Sequence, residues 1–133
     1  MCYDKHGSVN SMEQFSRTIS LVGQEAFDRV HRARVAVFGV GGVGGYVCEA
    51  LVRSGIAEID LFDRDNVSIS NLNRQIIALH STIGQDKVDA MAARLKDINP
   101  NVRVNCRKMF YLPTTADEVD LSVYDFVVDA VDT

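Results

Sequence analysis

The 133-residue sequence predicts an α/β fold, a mostly parallel sheet with helices on both faces, and three observations carry that expectation. The short β-branched run "RVAVF" ends at the glycines of "GVGGVGG"; an apolar stripe at helical spacing follows; and a second apolar run, "EIDLFD", closes the unit. Strand, glycine turn, helix and strand in that order make one βαβ unit, which implies parallel strands and a right-handed crossover.

Residues 1–33 read as an N-terminal helical segment. Helix is expected from Ser11 to Ala33 with a break at Gly23, because Ala26, Phe27 and Val30 recur at helical spacing. Residues 34–38 are a buried first strand. Val43, Val47, Ala50 and Leu51 then mark the inner stripe of a helix that Gly55 closes, and residues 58–63 form the second strand. "RDNVSISNLNRQIIALHSTIG" is a polar connection longer than an ordinary strand-to-helix loop, and such length is associated with function. The next helix is expected over about residues 86–98, with Val88, Met91, Ala92, Leu95 and Ile98 on one face and Pro100 beyond its end. "VRVNC" and "YDFVVDAV" supply two more strands, the last expected to be buried, and "LPTTADEVDLS" between them has room for a short helix. The sequence reaches Thr133 before any crossover helix that would cover that last strand. It is therefore expected to be the N-terminal part of a longer protein, truncated before the fold is complete.

With 47% hydrophobic and 24% charged residues the chain suits one globular domain able to bury a core. A net charge of -4 leaves no overall basic footprint for nucleic acid, so any such contact needs a local patch or a further segment. No apolar run approaches the ~18 residues of a membrane span, and the polar opening "MCYDKHGSVN" lacks the apolar core of a signal peptide, so a cytoplasmic protein is expected. Cys2, Cys48 and Cys106 are odd in number and form no C-x-x-C pair, as reduced intracellular thiols would be. Cys48 reads as a small buried apolar residue. His6, His31 and His80 lack ligand spacing and read as solvated or capping residues.

Gly39, Gly41 and Gly44, with Gly42 between them, fit G-x-G-x-x-G between a strand and a helix, which makes the sheet Rossmann-like. The first permits the tight turn, the second lets phosphate approach the backbone, and the third allows close packing of helix on strand. Asp63 ends the second strand near the ~20-residue distance expected of a carboxylate that accepts ribose hydroxyls. The blander alternative, a close turn and a capping aspartate, does not account for strand, loop, helix, strand and carboxylate in register. A nucleotide site is expected, with a dinucleotide and ATP both open. Asn71, Arg74, Gln75 and Lys87 favour ATP, since a triphosphate carries charge beyond what a helix N-terminus serves, although solvated basic residues are common. Asp129 and Asp132 follow the last strand; Asp132 suits Mg²⁺ beside phosphate, and equally suits a helix cap.

"VAVFGVGGVGGYVCEALVRSGI", "LFDRDNVSISNLNRQ", "TIGQDKV", "INPNV" and "VVDAVD" together resemble the adenylating domain shared by ubiquitin-activating enzymes and the sulfur-carrier adenylyltransferases of thiamine and molybdopterin synthesis. The resemblance begins near Phe15, so residues 34–133 are expected to be the N-terminal part of an ATP-binding adenylating domain. It implies that the glycine loop holds ATP and that Asp63 binds ribose. It also implies that Asn71, Arg74, Gln75 and Lys87 contact phosphates and that Asp132 brings in Mg²⁺. "FSRTISLVG" is similar to the family's N-terminal motif, which implies a homodimer in which Arg17 reaches a partner's ATP. Within the superfamily, "FSRTISLVGQEAF", "NLNRQIIAL" and "VVDAVDT" most resemble the tRNA threonylcarbamoyladenosine dehydratases. That branch implies a modified tRNA whose threonylcarbamoyl carboxylate is adenylylated and then cyclised. Sulfur-carrier activators usually place Asn where this chain has Thr133. An adenylyltransferase acting on the Gly-Gly end of a ubiquitin-like sulfur carrier is the first alternative. An NAD-binding oxidoreductase module is the second, and an inactive fragment is the third.

Overall fold

The structure, a computed structural model, describes residues 12–132, so Cys2, His6, Ser11 and Thr133 lie outside the described residues. A 3-10 turn at Glu13–Phe15 leads into helices α1 (Ser16–Val22) and α2 (Gln24–Arg32), which Gly23 separates as expected. Strand β1 (Arg34–Phe38), helix α3 (Gly44–Arg53), β2 (Glu58–Phe62), α4 (Lys87–Ile98), β3 (Arg103–Arg107) and β4 (Phe126–Asp129) follow. The strands form one parallel sheet in the order β3-β2-β1-β4, a Rossmann-like sheet flanked by helices on both faces.

Residues paired across a parallel sheet share a face. Val35 and Val37 therefore lie beside Ile59 and Leu61, and these beside Val104 and Cys106. This face packs on Cys48 and Val52 of α3 and on Val88, Met91 and Leu95 of α4. On the opposite face Ala36, Phe38 and Phe62 meet Met109, Val119 and Tyr124. The connection carrying the last two contains 3-10 turns at Ala116–Glu118 and Leu121–Val123, where the sequence allows a short helix. Phe27, the one fully buried residue of its expected stripe, packs 5.3 Å from Phe15 between ring centroids. His31 caps the turn after α3, its Nδ1 lying 2.7 Å from the Gly55 carbonyl oxygen.

The face carrying Phe38 and Phe62 also holds Asp60, which is 0% exposed. Its oxygens accept from Arg34 Nη2 at 2.8 Å, Arg34 Nε at 3.3 Å, Asn105 Nδ2 at 2.7 Å and the Tyr124 hydroxyl at 2.7 Å. Burial, the largest single influence, raises this carboxyl's pKa; the hydrogen bonds and the charge of Arg34 together outweigh it and hold the group below its ordinary value.

Three expectations are corrected. The inner face of α3 is Gly44, Gly45, Cys48 and Val52, whereas Val43 and Ala50 are exposed and Val47 and Leu51 half-buried. Closeness of approach to the sheet, rather than apolar content, selects that face. Burial raises the Cys48 thiol to about 12, in keeping with a packing role. The last strand, expected to be buried, is mostly exposed among the described residues, with Phe126 at 72%. The long connection is not simply polar: Val67, Ile77 and Ala78 enter the core, and an Asn66–Asp86 bridge clips its ends together.

The corrected face is open to test by urea unfolding. Val52→Ala is expected to cost about 2 kcal/mol of stability, and Val43→Ala to stay within about 0.5 kcal/mol. The same measurements across pH test Asp60. A carboxylate with a depressed folded-state pKa stabilises above its unfolded value and loses that contribution as pH falls through the folded one. The stability deficit of Asp60→Asn is therefore expected to be full at neutral pH and to shrink below about pH 4.

Candidate nucleotide-binding site

The site forms where the sheet's C-terminal ends meet the glycine loop. Gly39 adopts φ +86°, donates to the Phe62 carbonyl at 2.8 Å, and approaches β4 so closely that a Cβ there would lie 2.6 Å from the Ala130 carbonyl oxygen. A Cβ on Gly44 would overlap the Gly39 carbonyl oxygen. These two glycines are demanded by packing. Gly41 and Gly42 are not: the nearest atoms to an added Cβ are Gln75 Nε2 at 3.5 Å and Arg74 Cγ at 3.8 Å. Their openness leaves a cradle in front of α3, whose first turn has no side-chain cap and presents amide donors to an anion.

Gly39, Gly41, Gly42, Asp63, Asn71, Arg74, Gln75, Lys87 and Asp132 all line one cleft of about 700 Å³. Gly44 packs behind it. Asp63 plays the structural part of a capping aspartate. Its Oδ2 accepts from the Val40 amide at 2.8 Å and pins the glycine loop, while its Oδ1 accepts from the Asp65 amide at 2.8 Å. Each oxygen keeps a second lone pair for a ribose hydroxyl.

Lys87 is 6% exposed and opens α4, where the helix dipole disfavours a cation. Asp65 stands 3.3 Å from its ammonium, and an anion in the cleft would complete the pairing. Arg74 is held by the Ser70 carbonyl and Asn73 Oδ1, both 2.9 Å from one terminal nitrogen, which leaves its other donors for phosphate. Asn71 is partly structural, its Oδ1 accepting from the Ser68 amide at 2.9 Å in a capping box. Gln75 Oε1 is buried without a partner among the described residues, an orphan in a cleft wall that suits a site completed by a polar ligand.

Asp129 and Asp132 stand on the same cleft, beside the loop as expected of a strand paired with β1. Their exposed carboxylates are of the type that could hold a Mg²⁺ ion beside phosphate, although one Asp129 oxygen already accepts from the Val131 amide at 3.1 Å. Arg17 lies elsewhere, in a groove with Leu21, Val22 and Phe27, and does not line its own chain's cleft.

Sequence reasoning missed the cleft's aromatic wall. Phe38 and Phe62 stack on each other at 4.3 Å, and Tyr111 tilts against Phe38 at 4.8 Å, an aromatic cluster that lines the cleft. Strand alternation alone puts Phe38 and Phe62 on one face; nothing local points to Tyr111.

A phosphate cradle at a helix N-terminus, a carboxylate after β2 and cations on the facing wall define a nucleotide-binding domain of the Rossmann-like class. The chain belongs to the ThiF family, whose profile matches residues 15–133. It is 48% identical over 122 residues to the tRNA threonylcarbamoyladenosine dehydratase of Bacillus subtilis, covering 92% of this chain and 48% of that protein. It is 36% identical to the sulfur carrier protein adenylyltransferase of Thermus thermophilus, over 91% of this chain and 45% of that protein. The crystal structure of Escherichia coli tRNA N6-threonylcarbamoyladenosine dehydratase in complex with ATP superposes with a TM-score of 0.88 at 40% identity, covering 92% of this chain and 50% of that one. The chain thus spans about half the length of the curated relatives it matches.

The two kinds of glycine separate experimentally. Gly41→Val is expected to keep the thermal melt of the parent and to weaken ATP binding by at least about tenfold, whereas Gly44→Ala lowers stability by about 1–3 kcal/mol before any ligand is added.

Proposed function

We propose that this chain carries the adenylating site of an ATP-dependent enzyme whose acceptor is the threonylcarbamoyl carboxylate of a modified tRNA adenosine. The convergence of Arg74, Lys87 and Asp132, from three separate segments, on the glycine-loop cleft carries this reading. The likeness to a dehydratase solved with ATP supports it.

In the proposed reaction an acceptor carboxylate oxygen attacks the α-phosphorus of ATP, and the bond to pyrophosphate breaks. Intramolecular attack on the resulting acyl-adenylate then expels AMP and closes the ring. The protein's part is positioning and charge neutralisation. Asp63 holds the ribose, the loop amides hold phosphate, and Arg74 and Lys87 face the charge that develops on the leaving group. Mg²⁺ held by Asp132 would add charge neutralisation at the phosphates. The enzyme acts as a homodimer in which the partner subunit's Arg17 completes the site. The placement of Arg17 beside an exposed apolar groove, with Leu21 85% exposed, supports that assembly. A tRNA acceptor and ATP imply a cytoplasmic setting; among the described residues no helix is long and apolar enough to cross a membrane.

The deciding assay follows AMP release by the full-length parent of this chain with no acceptor, with threonylcarbamoyl-modified tRNA, and with a carrier protein ending in Gly-Gly. Release only with the modified tRNA is expected; release only with the carrier assigns the sulfur-carrier branch, and silence in all three removes the adenylating reading. Arg74→Ala is expected to lower pyrophosphate release by about 10²- to 10³-fold while the protein stays folded by circular dichroism. Arg17→Ala and Arg74→Ala chains, each inactive alone, are expected to regain partial activity when mixed and reassembled, since one site of the mixed dimer is intact.

A further inference from the structure

Asp65 and Lys87 meet at the start of α4 with unequal freedom. The backbone of Asp65 is held from two sides: its amide donates to Asp63 Oδ1 at 2.8 Å, and its carbonyl accepts from the Lys87 amide at 3.0 Å. Its short side chain therefore stays between the residue that pins the glycine loop and the first turn of α4. Lys87 carries three donors on a flexible four-carbon stem, and one of them reaches Asp65 Oδ2 at 3.3 Å. That contact is loose. A charge-assisted bond is typically about 2.7–2.9 Å long, and Lys108 meets Asp89 at 2.8 Å.

Both side chains line the cleft that holds the glycine cradle. An ammonium only 6% exposed at a helix N-terminus needs a counter-charge at every stage, with the site empty or filled. A polyphosphate supplies one while it is bound. Its departure would strand the ammonium in a place where water solvates it poorly, and that penalty holds the anion back. A carboxylate within reach of the same stem offsets the penalty. The pair thus bears on release of the anion as well as on its capture.

We propose that Asp65 is a positioning residue that works by exchange: it holds the Lys87 ammonium in the empty site, yields it to the phosphates of the nucleotide, and takes it back as pyrophosphate leaves. The nucleotide part rests on the function proposed above; the pairing in the empty site does not.

Asp65→Asn keeps the shape and both backbone bonds and removes the charge. In the full-length parent of this chain it is expected to lower the melting temperature of the ligand-free protein by about 3–6 °C, and by less than half as much in a Lys87→Met background. Titration with inorganic pyrophosphate tests the exchange. Asp65→Asn is expected to bind it about tenfold more tightly than the parent, with adenosine affinity unchanged, and to alter pyrophosphate affinity by less than about twofold when Lys87 is already Met. Equal tightening in both backgrounds reduces Asp65 to a repelling charge and overturns the proposal. So do pyrophosphate binding by Asp65→Asn that is parent-like or weaker, and an unchanged ligand-free melt. A parent that binds ATP and pyrophosphate while the variant gives one of these results removes this proposal alone; a parent that binds neither removes the adenylating reading with it.

Discussion

The ligand end of this sheet depends on how closely three backbone segments pass at Gly39. The loop leaves β1 there, the first turn of α3 comes in above it at Gly44, and β4 runs beside it at Ala130. No side chain fits between them, so the contact is made by backbone: Gly39 donates to β2 through Phe62, and Ala130 donates to β1 through Phe38. Once that crossing is made, the N-terminus of α3 points over the end of β1 and the cradle beside Gly41 and Gly42 exists without further design. The small inner face of α3 follows from the same closeness, since a helix held that near the sheet leaves room for Gly44 and Cys48 but not for a larger stripe.

Charge in the cleft is arranged against the overall balance of the chain. The net charge is -4, yet Arg74, Lys87 and the dipole of α3 converge on one cavity. Lys87 states the logic most plainly. A nearly buried ammonium at a helix N-terminus is unfavourable by itself, Asp65 offsets it in part, and a phosphate would offset the rest. Asp63 pins the glycine loop and still has acceptor capacity beyond the two amides it receives. Structural and binding readings of such a residue are not exclusive.

The βαβ unit, the glycine loop, Asp63 and the stripe of α4 were legible because each is written within a few contiguous turns of chain and shows in spacing. Other features were not. Apolar content does not mark the inner face of α3: Gly44 fits there by clearance from the loop, and Cys48 is buried on the same face. Asp60 carries no local signal in the sequence, since its partners Arg34, Asn105 and Tyr124 come from far apart in the chain.

By itself, then, the sequence determined the local periods, the turn that only glycine can make, and the chemical types available for a nucleotide. Those are properties of neighbouring residues, set by backbone sterics and side-chain spacing. Only the tertiary structure decided which cations share the cleft, that Phe38, Phe62 and Tyr111 form one wall, that Arg17 lies outside it, and that a buried carboxylate ties the four strands together. The reason is physical: distance between residues remote in sequence is decided by strand order and packing, which arise from the whole chain minimising exposed apolar surface and unpaired polar groups at once.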